Sequence, residues 1–209
     1  DHDEWKIIIV DKDKRHLYQA GYIFMPFDIY KPSDVIFQKN KFIPSRVEVV
    51  WSDIEQIDPE NNRVVLTEGS RTINYDLLVI ATGVDIRPDQ TEGLDGAGWY
   101  QNIFDFYTYE GTVKLTEALK RFNGGRLVVN VSEMPVKCPV APLEFVFLAD
   151  WYLRKRGLRN KTDLIFSTPL DGAFTKQRAN AVLGDMFTKR GIELVTDYAI
   201  GSVDSTRNV

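Results

Sequence analysis

The only thiol of the chain, Cys138, lies in the run Pro135-Val136-Lys137-Cys138-Pro139-Val140-Ala141-Pro142-Leu143-Glu144, just ahead of a stretch that reads as a helix. A cysteine beside a lysine and close to a helix N-terminus is favoured as thiolate, the nucleophilic form. The competing reading is a small buried hydrophobe, the common use of a lone cysteine. Flanking prolines hold the loop rigid, which suits a presented sulfur. Glu144 is a proton acceptor if burial raises its pKa, or a first-turn charge favoured by the helix dipole. Asp11 ends the β-branched run Ile7-Ile8-Ile9-Val10. From that position an acidic side chain can grip a nucleotide ribose in a doubly wound sheet; a solvated strand end is the alternative. Thr82-Gly83 closes the apolar run Leu77-Leu78-Val79-Ile80-Ala81. A glycine there lets the backbone approach a bound cofactor closely, or simply turns the chain.

Counts narrow the chemistry. One cysteine and two histidines, His2 and His16, leave no cysteine zinc cluster, no internal disulfide and no histidine-rich metal site. With 209 residues, 44% hydrophobic and 12% aromatic, the chain is expected to fold rather than stay disordered. A net charge of −4 with interspersed signs argues against a nucleic-acid face. No apolar run reaches the roughly 18 residues that cross a bilayer, and the acidic start Asp1-His2-Asp3-Glu4 is unlike a secretory signal. The chain lacks an initiator methionine, enters a strand almost at once and stops just after another, so it is expected to be an internal fragment.

The elements that must position these residues follow from pattern. Lys6–Val10 reads as a strand buried on both faces. Residues 12 to 45, with Gly21, Pro26, Pro32 and Pro44, read mostly as loop with one short helix. Val47–Trp51, Ile54–Ile57 and Arg63–Thr67 predict a small antiparallel meander, turning at Pro59-Glu60-Asn61-Asn62. Leu77–Ala81 predicts a further buried strand, and 84 to 108 an irregular stretch. From residue 109 the pattern changes. Leu115, Ala118, Leu119 and Phe122 mark a helix that Gly124-Gly125 stops, then strands near 126–131, 163–167 and 192–195 alternate with a helix from Pro142 to Arg156 and another over 179–187 that Gly191 closes. Such alternation implies a parallel sheet. Residues 132 to 141, where a nucleotide domain carries its glycine turn, contain no glycine, so NAD binding in that unit is disfavoured.

Taken together these residues resemble the sulfide:quinone oxidoreductase family, disulfide-oxidoreductase-like flavoproteins related to flavocytochrome c sulfide dehydrogenase. The resemblance is carried by Val10-Asp11, His16-Leu17-Tyr18-Gln19-Ala20-Gly21, Tyr75–Gly83, Pro135-Val136-Lys137-Cys138 with Ala141-Pro142 and Glu144, and Thr168–Thr175. It implies an α/β fold of two Rossmann-like dinucleotide-binding units, with three-layer parallel sheets and an antiparallel meander, incomplete at both ends. Residues 1–108 would be a partial FAD-binding domain lacking its glycine loop, and 109–209 a second Rossmann-like unit carrying a redox cysteine. Cys138 matches one cysteine of a redox pair whose partner lies outside the chain, and Glu144 an acidic position of part of the family. Asp11, Thr82 and Gly83 match cofactor contacts. The implied chemistry oxidises sulfide and passes electrons through FAD to a membrane quinone, on a peripheral membrane protein whose membrane contact lies outside these residues and which can form a homo-oligomer. Two departures stand out: no cysteine occurs in Trp99–Phe104, and no histidine in 84–209. A type II NADH:quinone oxidoreductase, a cytochrome-coupled sulfide dehydrogenase and a non-catalytic domain of this fold are the alternatives.

Overall fold

The computed structural model describes residues 5–67 and 71–206. Backbone contacts group the chain into two compact units: residues 1–18 with 33–83, and residues 19–32 with 84–209. Both the 19–32 segment and residues 84–108 therefore lie with the second unit.

In the first unit, β1 (Ile8–Asp11) is partly buried along its whole length, as its unbroken apolar run requires. β2 (Arg15–Leu17) and β3 (Ile36–Gln38) form a short antiparallel pair with Leu17 opposite Ile36, where the sequence suggested mostly loop. β4 (Glu48–Trp51) pairs in parallel with β1, Ile8 opposite Glu48 and Asp11 opposite Trp51. The expectation that this run joins the meander is thus corrected. It is partly buried throughout, and a strand covered on both faces belongs in a parallel sheet. The meander consists instead of β5 (Ile54–Asp58), β6 (Arg63–Leu66) and β7 (Thr72–Asn74), in the order β5-β6-β7. Its first turn is held by Asp58, which accepts from the Asn61 backbone (3.2 Å) and from Arg63 Nε (2.8 Å). Asn62 there has φ +49°, a left-handed conformation that asparagine tolerates.

Leu77–Ala81 does not form the buried strand expected of it. It has no strand partner among the described residues, and Leu77, Val79 and Ile80 are 74%, 77% and 64% exposed. A strand needs a neighbour's backbone groups, and β1 is paired only with β4 among the described residues.

The second unit is α/β and Rossmann-like. α1 (Tyr109–Arg121) is followed by β8 (Gly125–Asn130), α2 (Ala141–Lys155), β9 (Thr162–Ser167), α3 (Gln177–Arg190) and β10 (Glu193–Val195). The three strands are parallel in the order β10-β9-β8, with Gly125 opposite Thr162 and Glu193 opposite Ile165. Local chemistry explains the helix ends. Thr108 caps α1 by accepting from Gly111 N, Pro142 sits in the first turn of α2, and Gly191 ends α3 in the left-handed region at φ +63°. Leu143, Val146, Leu153, Leu164, Phe166 and Phe187 bury almost all of their surface between helices and sheet; each contributes about 1.5–3 kcal/mol of transfer free energy. A 3-10 segment, Gln19–Phe27, packs on α1 and α2 and sets Phe27 against Phe145 at 5.0 Å and Tyr152 at 5.7 Å.

Candidate functional site

Cys138 lies in the loop between β8 and α2 and is exposed, not packed as a small buried hydrophobe among the described residues. Three contacts fasten the loop. The Cys138 carbonyl accepts from Ala141 N (3.2 Å) and from the Tyr107 hydroxyl (3.2 Å). One residue back, Lys137 Nζ donates to Gln19 Oε1 at 2.7 Å. Lys137, expected from sequence to act on the neighbouring sulfur, thus spends a hydrogen bond on the 3-10 segment. The helix behind the loop begins at Ala141, and Val140 supplies no side-chain cap to its first amides. Glu144 lies in this first turn and is exposed, its amide bonded to the Val140 carbonyl (3.0 Å).

The residues that hold Cys138 were not singled out from sequence. Asp105 organises them. Its Oδ1 accepts from the backbone N–H of Tyr107 (2.9 Å) and Thr108 (2.7 Å), and its Oδ2 from the hydroxyls of Tyr100 (3.0 Å) and Thr108 (3.1 Å). Gly111 is required beside it, because a Cβ at that position would collide with the Asp105 carboxylate. Phe106 stacks on Phe145 of α2 with rings 4.6 Å apart and 8° from parallel. Tyr107 is half-buried, and burial, with a smaller charge interaction from Cys138, pushes its phenol up to about 12. It remains a neutral donor across the working pH range. The signal that could have found this cluster is Asp105-x-x-Thr108 directly before a helix, a pairing of two cap-forming side chains.

In the first unit Asp11 closes β1 with both carboxylate oxygens engaged: Oδ1 accepts from Asp13 N (3.0 Å), and Oδ2 from Lys39 Nζ. Lys39 is only 21% exposed on its side chain, so the pair is partly shielded from water. Each oxygen still has a lone pair for a second donor. Gly83 has φ +82°, a conformation that L side chains rarely adopt, and a Cβ there would meet nothing within 4 Å. The glycine is therefore required for the turn's conformation, not for lack of room. Thr82 beside it is exposed. The structure places Cys138 on the loop and Glu144 in the first turn of the helix that follows, both in the second unit, while Asp11, Thr82 and Gly83 belong to the other unit. Cavities of about 210 and 160 Å3 open on the second unit, and neither is lined by Cys138, Tyr107 or Glu144. Among the described residues no group of three or more His, Cys, Asp or Glu is placed to hold a metal ion.

No protein-family profile matches the chain. The mitochondrial sulfide:quinone oxidoreductase of Dictyostelium discoideum is 30% identical over 187 residues, covering 89% of this chain and 41% of that protein. The chain is a relative of the sulfide:quinone oxidoreductases. The mitochondrial sulfide:quinone oxidoreductase of Mus musculus is 27% identical over 188 residues, 90% of this chain and 42% of the mouse protein. The crystal structure of sulfide:quinone oxidoreductase from Aquifex aeolicus superposes with a TM-score of 0.80 at 24% identity, covering 95% of this chain and 46% of that one. That superposition shows the fold shared with the sulfide:quinone oxidoreductases: α/β, with Rossmann-like sheets. The chain spans about four-tenths of the length of these curated relatives.

Proposed function

We propose that this chain is part of an FAD-dependent sulfide:quinone oxidoreductase, with residues 1–18 and 33–83 of the 1–108 stretch contributing to its flavin domain and 109–209, grouped with 19–32 and 84–108, forming the unit that carries a redox cysteine. The observation that carries the reading is an exposed Cys138, fixed at the start of α2, in a chain that aligns with sulfide:quinone oxidoreductases over nine-tenths of its length. The glycine-free loop 132–141 weighs against a nicotinamide nucleotide bound at the same place. The exposure of Leu77, Val79 and Ile80 supports a whole protein in which a further strand covers these residues.

In this reading Cys138 is one sulfur of a dithiol pair completed from outside residues 1–209. Sulfide bonds to one sulfur of the pair's disulfide, the S–S bond breaks, and the second cysteine leaves as thiolate. Sulfide is oxidised in the step and the disulfide reduced. FAD, when bound, would supply the two-electron acceptor through which the pair passes on to a quinone. Asp11 would hold the adenosine ribose through the lone pairs that Lys39 and Asp13 leave free, and the Thr82-Gly83 turn would let the backbone approach the nucleotide. The residues present fit such a ligand at its adenosine end. Glu144, open to solvent in the first turn of α2, would take the proton released as hydrogen sulfide ionises. Attachment at a bilayer and access to quinone are assigned in this reading to other parts of the protein; no helix among the described residues is long and apolar enough to cross a membrane.

The test is Cys138→Ser in the full-length flavoprotein. Sulfide-dependent quinone reduction should be lost while bound FAD and its absorption spectrum stay nearly intact. Near-normal quinone reduction per bound flavin would remove Cys138 from the chemistry.

A further inference from the structure

We propose that Tyr107 is a positioning residue for the Cys138 sulfur, acting through the Cys138 main chain. The inference rests on Cys138 being the redox cysteine, and it adds a residue that the sequence does not single out.

The direction in which a side chain points is set by its backbone plane and by χ1. At Cys138 the backbone plane is over-determined. Pro139 follows it and disfavours the helical region for the preceding residue. The carbonyl of Cys138 then receives two donors, Ala141 N at 3.2 Å and the Tyr107 hydroxyl at 3.2 Å. The first is a local turn that the loop makes by itself. The second comes from 31 residues away and ties the loop to a different element. Its donor is itself immobilised. The Tyr107 amide is bonded to Asp105 at 2.9 Å, and the neighbouring Phe106 ring lies flat on Phe145, one turn into the helix that follows Cys138. The segment 105–108 therefore grips both the Cys138 peptide and α2, so that loop and helix cannot shift independently. One residue upstream, Lys137 is tied to Gln19 at 2.7 Å, which restrains the loop from its other side. With the carbonyl fixed, only χ1 remains to aim the sulfur. A misplacement of about 1 Å in such a group can cost up to ~100-fold in rate.

Tyr107→Phe removes the hydroxyl alone and keeps the ring that stacks on Phe106. The experiment uses the full-length flavoprotein, with Cys138→Ser alongside. Three quantities are read: kcat/KM for sulfide, kcat/KM for the quinone, and the rate at which iodoacetamide alkylates reduced Cys138. The expected result is a fall of about 10-fold in kcat/KM for sulfide, an unchanged kcat/KM for the quinone, an altered alkylation rate and a Tm within about 3 °C of the parent. A merely structural role would depress both kcat/KM values together with Tm, and that outcome overturns the proposal. So does a variant whose sulfide kcat/KM and alkylation rate both match the parent. Should Cys138→Ser retain sulfide turnover, the redox reading of Cys138 fails instead, and the alkylation rate of Tyr107→Phe still reports whether the hydroxyl aims the thiol.

Discussion

Replacing Asp150 by asparagine is expected to cost about 3 kcal/mol and to loosen the far end of the helix that presents Cys138. Asp150 lies on α2, and its side chain is fully buried. It accepts from Arg154 Nε (3.0 Å), Arg159 Nε (2.8 Å) and Arg190 Nη1 (3.0 Å), joining α2 to the residues before β9 and to the end of α3. Burial alone would push its carboxyl up. The hydrogen bonds from the three guanidinium groups outweigh that penalty and hold it below the usual carboxylate range. Removing one partner of a buried ion pair costs roughly 3–5 kcal/mol, because a charge is left behind without compensation. Here the side chains of Arg154 and Arg190 are 51% and 42% exposed and can turn to water, which discounts their share. Arg159 is 13% exposed and cannot, although it still donates to the Thr162 and Gly191 carbonyls. The lower end of the range applies. For a unit of this size each kcal/mol moves Tm by roughly 3 °C, so a fall of about 9 °C is expected. Thermal unfolding followed by far-UV circular dichroism at pH 7 measures it, with Arg154→Gln as the comparison, whose half-exposed pair is worth at most about 1 kcal/mol. The sign of the pH dependence is fixed. A depressed carboxyl contributes stability that is present above its unfolded value of about 3.9 and is lost as pH falls below it. Parent and variant should converge in acid. A Tm fall under about 2 °C at pH 7, or an equal fall in Arg154→Gln, would refute the reasoning.

Two further outcomes are expected alongside the Cys138 and Tyr107 experiments above. Because burial raises the Tyr107 phenol to about 12, its contribution to stability is complete below the unfolded value of about 10 and is lost as pH climbs through 12. Its tyrosinate absorbance should appear after that of exposed tyrosines, and identical titrations of parent and Tyr107→Phe above pH 11 would exclude the shift. Thr108→Ala removes the hydroxyl that accepts from Gly111 N at 2.9 Å and should cost about 1 kcal/mol in urea unfolding. An unchanged midpoint would mean that α1 does not depend on this cap.

Most of the second unit was legible in its residues. Spaced apolar positions with Pro142 near one helix start and Gly191 at another helix end located α2 and α3 to within a few residues. The β-branched runs located β8, β9 and β10. The first unit was less legible. Glu48–Trp51 was read into the meander because a short apolar run does not name the strand it pairs with, and β7 was not foreseen at all. Leu77–Ala81 looked like a buried strand for the same reason: apolar and β-branched composition records a preference for burial, whereas burial itself needs a neighbour.

At the site, the sequence by itself determined the thiol, the stiff loop around it and the helix behind it. These follow from residue type and from contacts within a few residues, where proline geometry and helix capping act. Only the tertiary structure decided what holds the thiol. Tyr107 reaches the Cys138 carbonyl across 31 residues of sequence, and Lys137 reaches Gln19 across 118. It also decided that Glu144 faces solvent and that Asp11 is shared with Lys39. Contacts over such separations depend on how packed elements bring distant segments together, and no local pattern of residues encodes that.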